Sequence, residues 1–377
     1  MLPATVFAPN MFQPVALATS LPASSVFISF AIALLASYGL TIPIRHLALR
    51  FGMVDHPDPR KLHVSPMPLL GGIAIYLGFV LAILLTVPRD PVQQITGILA
   101  GATLVAVVGF LDDRGLLHHQ IKLFVAMPAA AVFLITSGIR AQLFSRIVPG
   151  TLGVVMDICL TLFWTVGITA AFSILDHMDG LCAGIAAIAS GFFAVEAMLS
   201  GQTLVQALGA AGLGAALGFL RWNFSPAKIF MGDGGAMFLG FLMASLGLKI
   251  RPAEASSAAL WLVPALILGV PIFDTTLISI SRLRRGLLPF TSPGKDHTAH
   301  RLSNLGLRHR GAVLALYGLA IVCGLAALAV PLLSSRTAYE LASLLAVIGL
   351  IAVFFLESAP YERQATIRGG SSSGAPS

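Results

Sequence analysis

"SILDHMDGLCAG", residues 173–184, separates two apolar runs at 154–172 and 181–200. Each run approaches the roughly 20 apolar residues that a helix needs to cross a hydrocarbon core. Between them stand Asp176 and Asp179, three apart, with His177 inside the pair and Gly180 directly after it. Carboxylates are costly inside a bilayer, so the stretch reads as a watered edge between two spans. The same alternation of long apolar run and short polar connector recurs throughout the chain. Eleven runs are visible, at 25–46, 69–88, 94–111, 120–138, 154–172, 181–200, 204–220, 235–250, 259–280, 312–333 and 339–357. The expected fold is all-α, a polytopic integral membrane protein with about eleven transmembrane helices. Of the 377 residues, 57% are hydrophobic and only 10% are charged, whereas soluble proteins carry roughly 25% charged residues. Transmembrane barrels alternate apolar and polar residues, and that alternation is absent here.

The basic residues set an orientation. With these runs as spans, 17 of the 23 Lys and Arg residues fall on one side. Positive charge accumulates on the cytoplasmic side, so the N-terminus is expected outside and the C-terminus in the cytoplasm. The net charge of +7 is then largely this asymmetry, and no nucleic-acid partner is called for. Residues 1–24 form an N-terminal segment with no Lys or Arg, hence without the basic start of a signal peptide. Residues 25–357 form the membrane-embedded domain, and 358–377, ending in "GGSSSGAPS", read as a disordered cytoplasmic tail. Cys159, Cys182 and Cys323 stand alone in apolar runs, with neither metal spacing nor a disulfide framework.

Nearly all the chemically capable side chains fall in the connectors assigned to the cytoplasmic side. "GFLDDRG" puts Asp112 and Asp113 next to each other at a helix end, where their repulsion asks for a metal or a basic partner. A solvated loop with Arg114 as that partner is the plainer account. Asp176 and Asp179 share a face if their segment is helical, and they also suit a cap on the span that follows. "FMGDGGAMFLG" sets Asp233 between glycines at a span's start. A hard oxygen donor there suits Mg²⁺, or simply caps the helix. Arg60, Lys61 and His63 lie in a Pro-rich first loop, and Lys228 precedes the Asp233 turn. His297, His300 and Arg301 follow the basic run Arg282, Arg284 and Arg285. Such basic loops recognise phosphate or merely set topology. Two histidines three apart, with no third ligand in sight, say little about a metal. Asp274 lies deeper, within the ninth run, where a carboxylate is either functional or paired. Acids and bases together on one face suit an enzyme that brings a metal-bound diphosphate to a membrane-anchored acceptor.

Six stretches, in order, carry a resemblance: "DHPDPRKLHVSPMPLLGG", "GFLDDR", "LDHMDGL", "NFSPAKIFMGDGGAMFLG", "PIFDT" and "KDHTAHRL". Over roughly 25–357 the chain resembles the bacterial polyprenyl-phosphate N-acetylhexosamine-1-phosphate transferases. The resemblance implies transfer of a sugar-1-phosphate from a UDP-sugar to undecaprenyl phosphate, giving undecaprenyl-diphospho-sugar and UMP. It further implies a Mg²⁺ cofactor, a multi-pass protein of the bacterial inner membrane with its active site on the cytoplasmic face, and a first membrane step of cell-envelope polysaccharide synthesis. A homodimer is compatible with it. Carried over, Asp112, Asp113, Asp176 and Asp179 are catalytic and Asp233 is the metal ligand. Arg60, Lys61, His63, Lys228, His297, His300 and Arg301 bind substrate. The sequence departs from the pattern where Ala170 and Ser173 occupy positions usually held by asparagine, and where His177 replaces a glycine. Ser173 is then expected to contact the metal in asparagine's place.

Three other readings match less well. A CDP-alcohol phosphatidyltransferase begins DxxDGxxAR, and "DHMDGLCAG" matches until Gly184, but no Asp follows between 181 and 232. A transporter requires polar groups around a midplane site and often shows internal repeats, and neither is evident. An intramembrane aspartyl protease needs GxGD, and Phe230 stands where its first glycine would be.

Overall fold

The computed structural model describes residues 23–55, 66–87, 92–117, 119–252, 259–288, 294 and 296–359. The expected candidates Arg60, Lys61 and His63, and all but the first two residues of the expected tail, lie outside the described residues. The chain runs α1 (Ala23–Arg50), β1 (Val54–Asp55), β2 (Met67–Pro68), α2 (Gly71–Thr86), α3 (Val92–Asp112), α4 (His119–Ile121), a π-turn (Lys122–Ala126) and α5 (Met127–Thr136). It continues through α6 (Thr151–Leu175), α7 (Leu181–Leu199), α8 (Thr203–Asn223), α9 (Gly232–Lys249), α10 (Ala259–Ile267), α11 (Gly269–Arg284), α12 (Thr298–Asn304), α13 (His309–Ala329) and α14 (Ser335–Ser358). Every expected apolar run coincides with a helix or a helix pair. The β1–β2 pair is antiparallel, with Val54 opposite Pro68.

Among the described residues, seven helices are long and apolar enough to cross a membrane, and the α10–α11 pair, bent by 76°, makes an eighth candidate. The expectation of eleven is therefore matched only in part by length and composition. The physical reason is geometric. At 1.5 Å per residue the 16 residues of α2 span roughly 24 Å, short of the ~30 Å hydrocarbon core. The apolar helix Lys122–Thr136 is shorter still.

The bundle is organised around α9. Every residue of α9 except Asp233 and Lys249 is buried, as suits a helix apolar on all sides. The helices α2, α3, α6, α7 and α8 all pack against it. Peripheral helices behave oppositely. In α14 Phe354 is 81% exposed, as an apolar side chain facing lipid should be.

Glycine fixes how closely α9 is approached. A Cβ on Gly109 of α3 would lie 2.5 Å from the Gly234 Cα, and one on Gly72 of α2 would lie 2.3 Å from the Gly235 Cα. Small residues let the helix backbones touch at both crossings. Chain direction alternates between neighbours, so the C-terminal ends of α3, α6 and α8 gather at the N-terminal end of α9. The opposite end is held by other means. There the Asp157 carboxylate accepts from the backbone N–H groups of Leu143 (3.0 Å), Phe144 (2.8 Å) and Ser145 (3.1 Å). Gln202 binds the backbone of Arg251 on both sides of its amide.

Candidate active site

The first turn of α9 has backbone N–H groups with no partner inside the helix. Asp113, just past the end of α3, supplies one from outside. Its Oδ1 accepts from the Asp233 N–H at 2.8 Å and its Oδ2 from the Gly234 N–H at 3.3 Å. This explains the glycines of "GDGG". Gly232 has φ +76°, and a Cβ there would lie 2.5 Å from Asp113 Oδ2. A side chain at Gly232 would therefore force a strained backbone and displace the carboxylate.

With the helix start so held, Asp233 is presented to its neighbours. Its Oδ1 accepts from the Ser173 hydroxyl at 2.7 Å. Lys122 Nζ, on the first residue of the π-turn, bridges Asp112 Oδ2 and Asp233 Oδ2 at 2.6 Å each. π-turns are rare and often sit at functional sites. Asp176 caps the C-terminal end of α6. Burial, followed by the charges of Asp233, Asp113 and Asp179, pushes its carboxyl up to about 8. Burial likewise raises Asp113 to about 7, against the lowering effect of its hydrogen bond from the Asp233 backbone. The arrangement is an excess of carboxylates held together by one ammonium, all donors being hard oxygens.

Asp179 is tied to the loop before α9, its Oδ2 accepting from the Ala227 N–H at 2.9 Å. Gly180, at φ +78°, donates its N–H to Asn223 Oδ1 at 3.0 Å, and Asn223 Nδ2 donates to the Ile229 carbonyl at 3.0 Å. The DHMDG turn and the loop 224–231 are thus laced together. Lys228 lies in that loop, with its ammonium 5.5 Å from the Trp222 ring centre.

The last loop reaches the same region through histidines. His177 stacks on His297 with ring centres 3.8 Å apart, and lies 5.0 Å from His300. His297 Nδ1 donates to Asp274 Oδ2 at 3.2 Å, while the Thr298 N–H donates to Asp274 Oδ1 at 2.7 Å. Burial first, and His297 second, hold His177 well below its ordinary range. Arg301 is not brought to the carboxylates. It is fully buried, donating to the Asp296 carbonyl (2.8 Å), the Leu356 carbonyl (2.7 Å) and Ser281 Oγ (2.8 Å), and pairing with Glu357 (3.0 Å). Asp296 takes Arg282 and Arg285. Burial would raise it, but those bonds bring it down to about 2.

The structure thus assembles Asp112, Asp113, Ser173, Asp176 and Asp233 as one cluster, with His297 and His300 beside the DHMDG turn. Lys122 and Asn223 were not among the expected site residues. Lys122 had a signal in the sequence, a lone cation opening an apolar run ten residues after the Asp112–Asp113 pair.

The model of the family described as Glycosyl transferase family 4 matches residues 95–251, which include Asp112, Asp113, Lys122, Ser173, Asp176, Asp179 and Asp233. A probable undecaprenyl-phosphate N-acetylglucosaminyl 1-phosphate transferase of Bacillus subtilis is 36% identical over 309 residues, covering 80% of this chain and 84% of that protein. A decaprenyl-phosphate N-acetylglucosaminephosphotransferase of Mycolicibacterium smegmatis is 34% identical over 315 residues, covering 76% and 77%. The undecaprenyl-phosphate alpha-N-acetylglucosaminyl 1-phosphate transferase of Escherichia coli is 28% identical over 304 residues, covering 76% and 78%. With a carboxylate cluster built at one end of a buried central helix, and with relatives this similar over most of its length, the chain belongs to glycosyl transferase family 4, among the polyprenyl-phosphate N-acetylhexosamine-1-phosphate transferases.

Proposed function

We propose that the protein transfers N-acetylhexosamine-1-phosphate from a UDP-sugar to undecaprenyl phosphate, releasing UMP. A lipid phosphate oxygen forms a bond to the β-phosphorus of the nucleotide sugar, and the bond from that phosphorus to the bridging oxygen of UMP breaks. The observation that carries this reading is the Lys122 ammonium between Asp112 and Asp233, 2.6 Å from each. It marks a point where the protein gathers negative charge and needs a cation. An all-oxygen donor set is the chemistry Mg²⁺ selects, so the residues present fit the ion. Asp112 and Asp233 would hold it, with the Ser173 hydroxyl beside them. When bound, Mg²⁺ supplies charge neutralisation for diphosphate oxygens and for the leaving group.

The remaining work belongs to the chain itself. Asp113 holds the start of α9 and so aims Asp233. Asp176 lies close enough to the cluster for its carboxyl to feel Asp233 and Asp113. Asp179 and Asn223 position the two loops that frame it. The acceptor needs no strong base, since the second pKa of a phosphate monoester is about 6. Rate enhancement is then a matter of positioning and of charge stabilisation. His297 and His300 lie beside the DHMDG turn and are assigned to the nucleotide sugar. Arg301 serves by holding their helix in place.

On this reading the chain has about eleven membrane segments counting the short ones, its N-terminus is outside, and the carboxylate cluster faces the cytoplasm, where UDP-sugars are. The lopsided distribution of basic residues supports that sidedness. The test is direct. Purified protein, undecaprenyl phosphate, Mg²⁺ and a panel of UDP-sugars should release UMP with a UDP-N-acetylhexosamine, UDP-GlcNAc first among them. Failure to release UMP from any UDP-sugar, with the protein folded, would overturn the proposal.

A further inference from the structure

We propose that His177, Asp274 and His297 form a second cation site, for a d-block divalent ion of the Zn²⁺ type. The three residues come from separate segments, the turn after α6, the middle of α11 and the start of α12. One ligand atom from each lies within 4.8 Å of the other two. Asp274 and His297 are buried, and so is the His177 Nε2 atom, although the His177 ring is partly open.

The hydrogen bonds prepare His177 and Asp274 for a metal. His177 Nδ1 faces the Ile174 carbonyl at 3.2 Å, and a carbonyl can only accept. The ring proton is therefore on Nδ1, which leaves a lone pair on Nε2. Among the described residues that Nε2 has no hydrogen-bond partner. A ligating imidazole commonly has this form, with its other nitrogen donating to a backbone carbonyl. A buried acceptor without a donor costs free energy, and a cation would offset the cost. The His297 Nδ1 and Asp274 Oδ2 atoms are 3.2 Å apart. Adjacent ligands of a tetrahedral Zn²⁺ with bonds near 2.0–2.1 Å lie roughly 3.3 Å from each other. The second Asp274 oxygen is already fixed by the Thr298 N–H, so the carboxylate is oriented before any ion arrives. On binding, the His297 ring proton would sit on Nε2 and Nδ1 would face the ion.

The donor chemistry separates this site from the carboxylate cluster. Two imidazoles and one carboxylate suit Zn²⁺ or Co²⁺, whereas Mg²⁺ prefers oxygens throughout. Three protein ligands leave one tetrahedral position free for water or a substrate oxygen. An ion there would clasp the DHMDG turn to α11 and α12, joining the two halves of the site.

Co²⁺ serves as the probe because its visible bands report four-coordinate nitrogen and oxygen ligation. The full chain in detergent, with Mg²⁺ in excess, is expected to take up one equivalent of Co²⁺ with a visible absorption band that Zn²⁺ abolishes. His177→Gly is expected to weaken Co²⁺ binding at least about tenfold. As a second measurement on the unaltered protein, Zn²⁺ is expected to raise the melting temperature. The proposal is overturned by the absence of a band at one equivalent, by unchanged Co²⁺ affinity in His177→Gly, or by an unmoved melting temperature. None of these readouts requires turnover, so the transferase reading stands or falls separately.

Discussion

Asp233 shows how one residue depends on several others. Its position is set by Asp113, its oxygens by Ser173 and Lys122, and its backbone by glycines that admit α2 and α3. Asp233→Asn keeps the shape and removes a charge. It is expected to lower kcat by about 100-fold or more, since a preorganised charge-stabilising group commonly contributes that much. Steady-state kinetics together with a melting curve check this, and near-normal turnover at low Mg²⁺ would remove Asp233 from the metal. Lys122→Met separates two roles of the ammonium. Without it Asp112 and Asp233 repel across a part-buried site, so the melting temperature in a metal-free buffer should fall. Added Mg²⁺ should recover most of that loss if it takes the same position, and an equal loss with and without Mg²⁺ would count against it. Arg301 belongs to another kind of residue. Arg301→Ala removes the nearer cation from part-buried Glu357 and a donor from three acceptors, leaving a cavity where a fully buried guanidinium stood, a defect of about 3–5 kcal/mol. It should appear as poor folding or a much lower melting temperature. His300→Ala should instead raise KM for the UDP-sugar more than KM for the lipid, with folding intact.

Among the elements, the α3–α9 crossing carries the most consequence. Gly109 touches Gly234 one turn before Asp112, so the separation of the two helices sets the separation of the carboxylates. Gly109→Ala inserts a methyl group 2.5 Å from the Gly234 Cα, where only backbone can move. Overpacking of this kind costs about 1–3 kcal/mol. Because the strain is relieved by spreading α3 from α9, activity should fall by more than the loss of stability accounts for. Comparing specific activity with melting temperature for this variant decides it, and fully active protein would show that the crossing is tolerant. The α11–α12 corner works by charge rather than close approach, with Asp296 gripping Arg282 and Arg285 beneath the histidines.

At the scale of the whole molecule, the bundle has two unlike ends. One gathers carboxylates, an ammonium and histidines, while the other is closed by Asp157, Gln202 and Arg251 on backbone groups. The proposed orientation places the first end in the cytoplasm. In a chain with its native cysteines replaced, a cysteine at Thr151 or Ser334 should react with an impermeant maleimide in intact cells. One at Ser225 or Ser303 should react only after permeabilisation. The opposite pattern would strand the site away from cytoplasmic nucleotide sugar.

Membrane character, all-α class and the identity of most carboxylates follow from the chain read in order. Apolar length is a property of contiguous residues, and a polar break such as 173–184 cannot lie in hydrocarbon whatever surrounds it. Asp112, Asp113, Asp176 and Asp233 were visible for the same reason, each being costly where it stands unless something answers its charge. What answers it was not visible. Lys122 meets Asp233 across 111 residues, Asn223 meets Gly180 across 43, and His177 meets His297 only because the turn after α6 packs on the start of α12. The fate of Arg301 also waited on the fold, since a guanidinium suited to phosphate is equally suited to buried carbonyls. The number of full crossings depended on where helices end and bend, as α2 and the α10–α11 pair show. Local composition decides which residues cannot face lipid, but only long-range packing decides which groups they face instead.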